Sequence, residues 1–398
     1  ASSLTANANI TSTGGNVTLL AETAATLANG VTVSAQTDGD VRVDAVTGKL
    51  SAGDSVTVES GTGKVHLTAG TDLSFGATAI VRTSGNGDVD LATDSGFLSF
   101  GADASVTNDA SVSSGTGKVD LSAATYVLFG DNATLGTGGS GNVVLASLGS
   151  GGTEGADGRI EFGASASLTS ATGTIDLSAN TYLVFGTGAG LQTGGSGAVV
   201  LDAVGGSVAI GSNATVESGT GDLLLTAQTD FQLGTGSAVS TGTAGLVLLD
   251  ASTGSLTIHA ADTPDDRSSI ATGNGGHLTL TAATDLTLDP GVTVSAGDTG
   301  TLYLEAAGGN LTMDAAATLQ TGGGDMILRA GDGTEDALTV GVANAGTGNL
   351  SLRSAGAILD ADAGSTLNLT AAGLALDAGT QIGALGANAD PLELSVDT

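Results

Sequence analysis

The chain has 398 residues and carries 9 Lys plus Arg against 41 Asp plus Glu, a formal net charge of −32. That balance argues against nucleic acid or an anionic membrane surface as a partner, since both need clustered cations. Apolar residues at 40% and charged residues at only 13% leave enough Val and Leu for a buried core, and 66 Gly beside 3 Pro rule out a collagen pattern.

In chain order, Leu4-Thr-Ala-Asn starts in mid-pattern, and then one phrase, Gly-x-(Val/Leu/Ile)-x-(Leu/Val)-x-Ala, recurs to the end. Its first apolar residues are Val17, Val41, Val65, Val89, Val119, Val143, Ile175, Val199, Leu223, Val247, Leu278, Leu302, Met326 and Leu350. The step is 24 residues in ten of thirteen cases and otherwise 30, 32 and 31. Such self-similarity is the signature of a stacked architecture. Within Val65–Asp88, Val65 and Leu67 alternate with His66 and Thr68, Leu73 and Phe75 flank Ser74, and Ile80 and Val81 form a third apolar stretch. Period-two alternation broken by Gly, Asn and Asp reads as three short strands, and no segment sustains a 3.6-residue period. One such coil cannot bury its apolar face alone, whereas stacked coils can. The pattern predicts an all-β fold, a right-handed parallel β-helix (β-solenoid) of about 24 residues and three short strands per coil. It makes roughly 16 coils, as one continuous domain over 1–398.

Phe75, Phe100, Phe129, Phe162 and Phe185 share the inward end of the second strand in five consecutive coils, which predicts a core column of rings. Ile210, Leu233, Ile258 and Leu288 follow at that position. Tyr126 and Tyr182 fall one residue before the alternating pair and are expected to face outward. The three long steps place corner-loop insertions near 106–115, 148–158 and 259–269. Near the C-terminus, Leu350 to Leu367 is only 17 residues, an apparent disturbance of the repeat, although Pro391–Val396 still reads as a strand. Neither end shows a polar cap, so the chain reads as an excised piece whose rod continues in flanking sequence or whose subunits stack end to end.

Candidate chemistry is sparse. Asp38, Asp40, Asp88, Asp157, Asp222 and Asp325 sit at turns, where local hydrogen bonding is the ordinary role. Gly85–Ala92, GNGDVDLA, resembles part of a nonapeptide calcium repeat without its tandem copies. Asp262, Asp265 and Asp266 in the 259–269 insertion are the candidates for calcium, the one cofactor considered. His66, His259 and His277 lack the paired spacing of a zinc site. A polysaccharide-cleaving β-helix would need clustered carboxylates or cations in a groove. Here Lys49, Lys64, Lys118 and six Arg are scattered, Arg42 and Lys64 share a face without a catalytic partner set, and Trp is absent. No enzyme is expected. The Thr-x-Thr run Leu278–Val294 suggests an ice-binding face, but Ser, Asp, Arg, His and Glu interrupt the outward positions elsewhere. Asn-x-Ser/Thr triplets at Asn9, Asn16, Asn132, Asn213, Asn310, Asn349 and Asn368 match glycan acceptors or, more simply, mark coil corners. Cys is absent, so there is no disulfide or thiol chemistry, and no apolar run reaches the length of a membrane helix, so no direct membrane insertion is expected.

GNLSLRSAGAIL (Gly348–Leu359), GDVRVDAVTGKLSA (Gly39–Ala52) and STLNLTAAGLAL (Ser365–Leu376) resemble the degenerate repeats of filamentous-haemagglutinin-like secreted bacterial exoproteins and adhesins. The resemblance implies a β-solenoid, secretion across an outer membrane, an extracellular or cell-surface setting, and service as a stalk or fibre. The expected function is a non-enzymatic structural rod. The partner is another copy stacked end to end or a flanking solenoid of the same polypeptide. A carbohydrate- or calcium-binding surface module acting through corner loops is the alternative.

Overall fold

The structure, a computed structural model, describes residues 2–101, 110–149, 158–260, 267–362, 364, 366–384 and 391–397. All 46 regular elements among them are β-strands, numbered here in chain order, and they form three parallel sheets in a solenoid of about 15 turns with about 24 residues per turn. The chain divides into two units, Ala1–Gly205 and Gly206–Thr398.

In the first unit one coil is β9 (Val65–Ala69), β10 (Leu73–Phe75) and β11 (Ile80–Thr83). Side chains alternate between faces along a strand, and β9 accordingly buries Val65, Leu67 and Ala69 while His66 and Thr68 remain half-exposed. β9 pairs in parallel with β6 (Val41–Ala45) below and β12 (Val89–Thr93) above, so Val41, Val65 and Val89 form one vertical file and Val43, Leu67 and Leu91 another. A slip of one residue would turn every file inside out. The recurrent Val and Leu therefore fix the register as well as the core.

The corner from third strand to first is closed by small residues. Several third strands end in a buried Ser or Thr whose hydroxyl donates to a corner glycine carbonyl: Ser60 to Gly39 (2.8 Å), Thr83 to Gly87 (2.8 Å), Thr137 to Gly141 (2.8 Å) and Thr193 to Gly197 (2.7 Å). The glycines stack so closely that a Cβ at Gly87 would lie 1.9 Å from the carbonyl oxygen of Gly63, and one at Gly141 1.9 Å from that of Gly117. The corner from second strand to third takes a left-handed backbone, at φ 57° for Asn132 and 56° for Asn213, which Asn tolerates better than most residues.

Two readings from the repeat are corrected. The first long step was assigned an insertion at 106–115, but Ser111–Ser114 is strand β14, in register with β11 and with β17 (Thr134–Thr137). Val112 continues the buried file of Val81 and Leu135, so the extra residues of that coil fall before Ala110. In the second unit the apparent 17-residue step disappears. Leu369–Ala371 is β44, a third-sheet strand, and the first-sheet strand is β45 (Gly373–Ala378). It pairs with β42 (Asn349–Ser354) with Leu350 opposite Leu374, a separation of 24 residues (374 − 350). Two adjacent strands of similar composition had exchanged identities. The 148–158 insertion lies between β18 (Val143–Ser147) and β19 (Ile160–Phe162), and the 259–269 insertion between β31 (Leu256–Ile258) and β32 (Ser269–Asn274).

Candidate functional site

Five phenylalanines at the ends of second-sheet strands form a column in the first unit. Each is no more than 3% exposed, and successive ring centroids lie 4.5, 5.0, 5.0 and 5.2 Å apart with interplanar angles of 2–5°. In-register pairing sets this spacing: Phe75, Phe100, Phe129, Phe162 and Phe185 are direct strand partners. In the second unit the column is aliphatic, with Ile210, Leu233, Ile258, Leu288 and Met313 as successive partners.

A second, outward file occupies the residue before each second-sheet strand. It runs Asp72, Phe97, Tyr126, Arg159, Tyr182, each carbonyl accepting the N–H that opens the strand one coil below. Phe97 stacks on Tyr126 at 4.9 Å and 7°, and the Arg159 guanidinium lies 5.4 Å from the centre of the Tyr126 ring. Both faces of Tyr126 are therefore covered, leaving its edge to solvent; partial burial raises the phenol above its ordinary value, with Arg159 opposing the shift and Asp72 adding to it. Sugar rings stack on free aromatic faces, and here the faces are engaged by neighbouring coils. Phe97 lies three residues before Phe100 as Tyr126 lies three before Phe129, an offset that could have revealed the contact.

The principal polar site is a shallow depression of about 490 Å³ on the outward face of the first sheet. It gathers Arg42, Lys64, His66 and Lys118 with Asp40, Asp88, Asp90 and Asp120. The cations are matched one by one: Arg42 with Asp44 (2.5 Å), Lys64 with Asp88 (2.8 Å), His66 with Asp90 (3.0 Å) and Lys118 with Asp120 (2.5 Å). Lys64–Asp88 and His66–Asp90 join adjacent coils. Lys64 donates to Asp88 and holds its carboxyl below the usual carboxylate range, while Asp88 holds the Lys64 ammonium above its own. The Asp88 contribution is present above the ordinary carboxyl pKa and is lost as pH falls through the lowered one. Because the side chains are 64% and 36% exposed, Lys64→Ala should cost no more than about 1 kcal/mol in urea melts at pH 7, with the difference from the parent vanishing in acid.

A comparable depression of about 470 Å³ in the second unit holds Glu305, Arg329, Arg353 and Asp377, which occupy one register file, with ion pairs at 3.9 Å (Arg329–Glu305) and 3.5 Å (Arg353–Asp377).

The turn carboxylates act differently from the local acceptors expected. Asn or Asp immediately before a first-sheet strand accepts the main-chain N–H of the equivalent residue one coil above. The pairs are Asn16 from Asp40 (2.9 Å), Asp40 from Lys64 (2.8 Å), Asp88 from Lys118 (3.0 Å), Asp222 from Leu246 (2.8 Å) and Asp325 from Asn349 (2.9 Å). The signal was available in the 24-residue spacing, but a turn seen alone suggests a local role. Asp38 does accept locally, from the Thr37 hydroxyl at 3.2 Å. Asn9 and Asn310 cap the next coil in the same way, and Asn368 is only 2% exposed.

Asp157, Asp262, Asp265 and Asp266 lie outside the described residues. Among the described residues no group of three or more His, Asp or Glu is placed to hold a metal ion. His66, His259 and His277 meet Asp90, Asp289 and Thr301 respectively. The Thr file Thr257, Thr287, Thr312, Thr339 is one residue wide, and the Thr279/Thr281 pair is followed in register by Tyr303 and Glu305.

No family model, curated protein or solved structure matches this chain. Its functional reading therefore rests on the solenoid itself and on what the surface files bond to.

Proposed function

We propose that the chain is a non-enzymatic structural element of the bacterial cell exterior. It either builds a filament by end-to-end stacking of coils or forms a segment of a giant fibrous adhesin. One observation carries this reading: main chain, core rings, corner glycines, turn carboxylates and many surface ion pairs bond to the equivalent position of the adjacent coil. A strand edge that pairs on both sides is a natural stacking element. The net charge of −32 would keep neighbouring fibres apart laterally while leaving hydrogen bonding along the stack intact. The likeness of Gly348–Leu359 to filamentous-haemagglutinin-like repeats supports the extracellular setting.

Negative-stain microscopy of the purified chain tests it. Long uniform fibres are expected if ends stack, and short monodisperse particles under every condition would favour the adhesin segment. A saturable glycan or calcium signal lost on deleting 148–158 or 259–269 would overturn both in favour of a surface binding module.

A further inference from the structure

We propose that Asp360 and Glu393 form a proton-operated clasp that docks strand β46 (Leu394–Val396) onto β44 and releases it when the Glu393 carboxyl ionises. β46 pairs with β44 in parallel, Leu369 opposite Leu394 and Ala371 opposite Val396. Its three residues are all exposed, Leu394 at 48% and Val396 at 38%, so apolar burial does little to hold it. Polar contacts do that work. The Asn368 and Leu369 N–H groups both donate to the Glu393 carbonyl at 3.1 Å, and the Asp397 N–H donates to the Ala371 carbonyl at 3.2 Å. The buried Asn368 side chain joins the two carboxyl-bearing segments. Its Oδ1 accepts the Glu393 N–H at 3.0 Å and its Nδ2 donates to Asp360 Oδ1 at 2.8 Å.

Two oxygens remain, Asp360 Oδ2 and Glu393 Oε2. Both are shielded from water and neither has a hydrogen-bond partner when both acids are charged. A shielded, unpartnered carboxylate oxygen is costly. A proton on Glu393 turns that acid into a donor and removes one of the two facing charges. The charged group facing the pair is Asp362, kept ionised by the Thr366 hydroxyl and the Gly364 N–H. Among the described residues, none of the three acids forms an ion pair with Lys, Arg or His. Burial first, then the negative charge of Asp360, raises the Glu393 carboxyl above its ordinary value. Docking is therefore complete below the ordinary glutamate pKa and lost as pH rises through the raised one, the docking constant falling about tenfold per pH unit between them. Release bares the edge of β44, whose N–H and C=O groups can then accept a strand from a partner.

Hydrogen exchange of the full chain between pH 4 and pH 8, corrected for intrinsic rates, is the test. Protection at 369–371 and 394–397 should fall as pH rises, while β30 (Val247–Ala251) stays constant. Glu393→Gln supplies a neutral donor and should hold protection level across the range. Asp360→Asn should do the same from the other side. Wild-type protection independent of pH, or either variant keeping the wild-type pH profile, overturns the clasp. If Glu393→Gln is unprotected throughout, Asp360→Asn decides: level protection supports the clasp and its absence refutes it.

Discussion

Phe129→Ala should destabilise the first unit by about 3–5 kcal/mol, the usual range for emptying a buried phenylalanine site. The ring is 1% exposed and stacks on Phe100 and Phe162 at 5.0 Å each. Deletion therefore removes two aligned contacts, each worth about 0.5–1.5 kcal/mol beyond burial. Collapse around the gap is hindered because the main chain above and below is fixed by parallel pairing to β13 (Leu98–Phe100) and β19. Phe129→Leu should cost about 1–1.5 kcal/mol, since Leu233 and Leu288 fill the same file in the second unit. Phe129→Asp should abolish the fold of these coils. Urea denaturation followed by hydrogen exchange at 98–100 and 160–162 would resolve the loss locally, which matters because stacked repeats need not unfold in one step.

Gly141→Ala should be nearly as damaging, at ~3 kcal/mol, toward the upper end of the range for overpacking. The added methyl would sit 1.9 Å from the carbonyl oxygen of Gly117, a main-chain atom with no rotamer to yield. Relief requires prising apart two coils at the corner where Thr137 donates to the Gly141 carbonyl. Gly14→Ala is the matched control, since a Cβ there meets nothing within 4 Å, and it should change stability by no more than about 0.5 kcal/mol. Equal effects at the two positions, measured by urea melts, would show that the corner has slack the structure does not give it.

The period, the strands and the inward faces were legible because one face of every strand is buried and the apolar residues recur at a fixed step. Val65, Leu67, Leu73 and Phe75 announce their orientation by alternation alone. What a single coil does not display is a bond to its neighbour. Asp40 looks like an ordinary turn residue until the N–H of Lys64, 24 residues on, is seen to lie on its side-chain oxygen. The same blindness hid the Lys64–Asp88 pair and the stacking of Phe97 on Tyr126. The C-terminal misreading had another cause: Leu369–Ala371 and Gly373–Ala378 are both Leu- and Ala-rich, and only the pairing of Leu350 with Leu374 separates third strand from first. The 106–115 span was misplaced for a related reason, since Ser111–Ser114 has one apolar residue, Val112, to mark it as a strand.

The central claim is that equivalent residues of successive coils lie side by side, and a pair of engineered cysteines tests it in a chain that has no cysteine of its own. Ser122 and Ala146 are half-exposed register partners on neighbouring strands, about 4.8 Å apart by parallel spacing and within the ~4.4–6.8 Å that a disulfide spans. The double variant Ser122→Cys/Ala146→Cys should oxidise quantitatively to an intramolecular disulfide. Ser122→Cys/Ser178→Cys, two coils apart at ~9–10 Å, should remain reduced. Crosslinking of the second pair in preference to the first, or of neither, would contradict the stack.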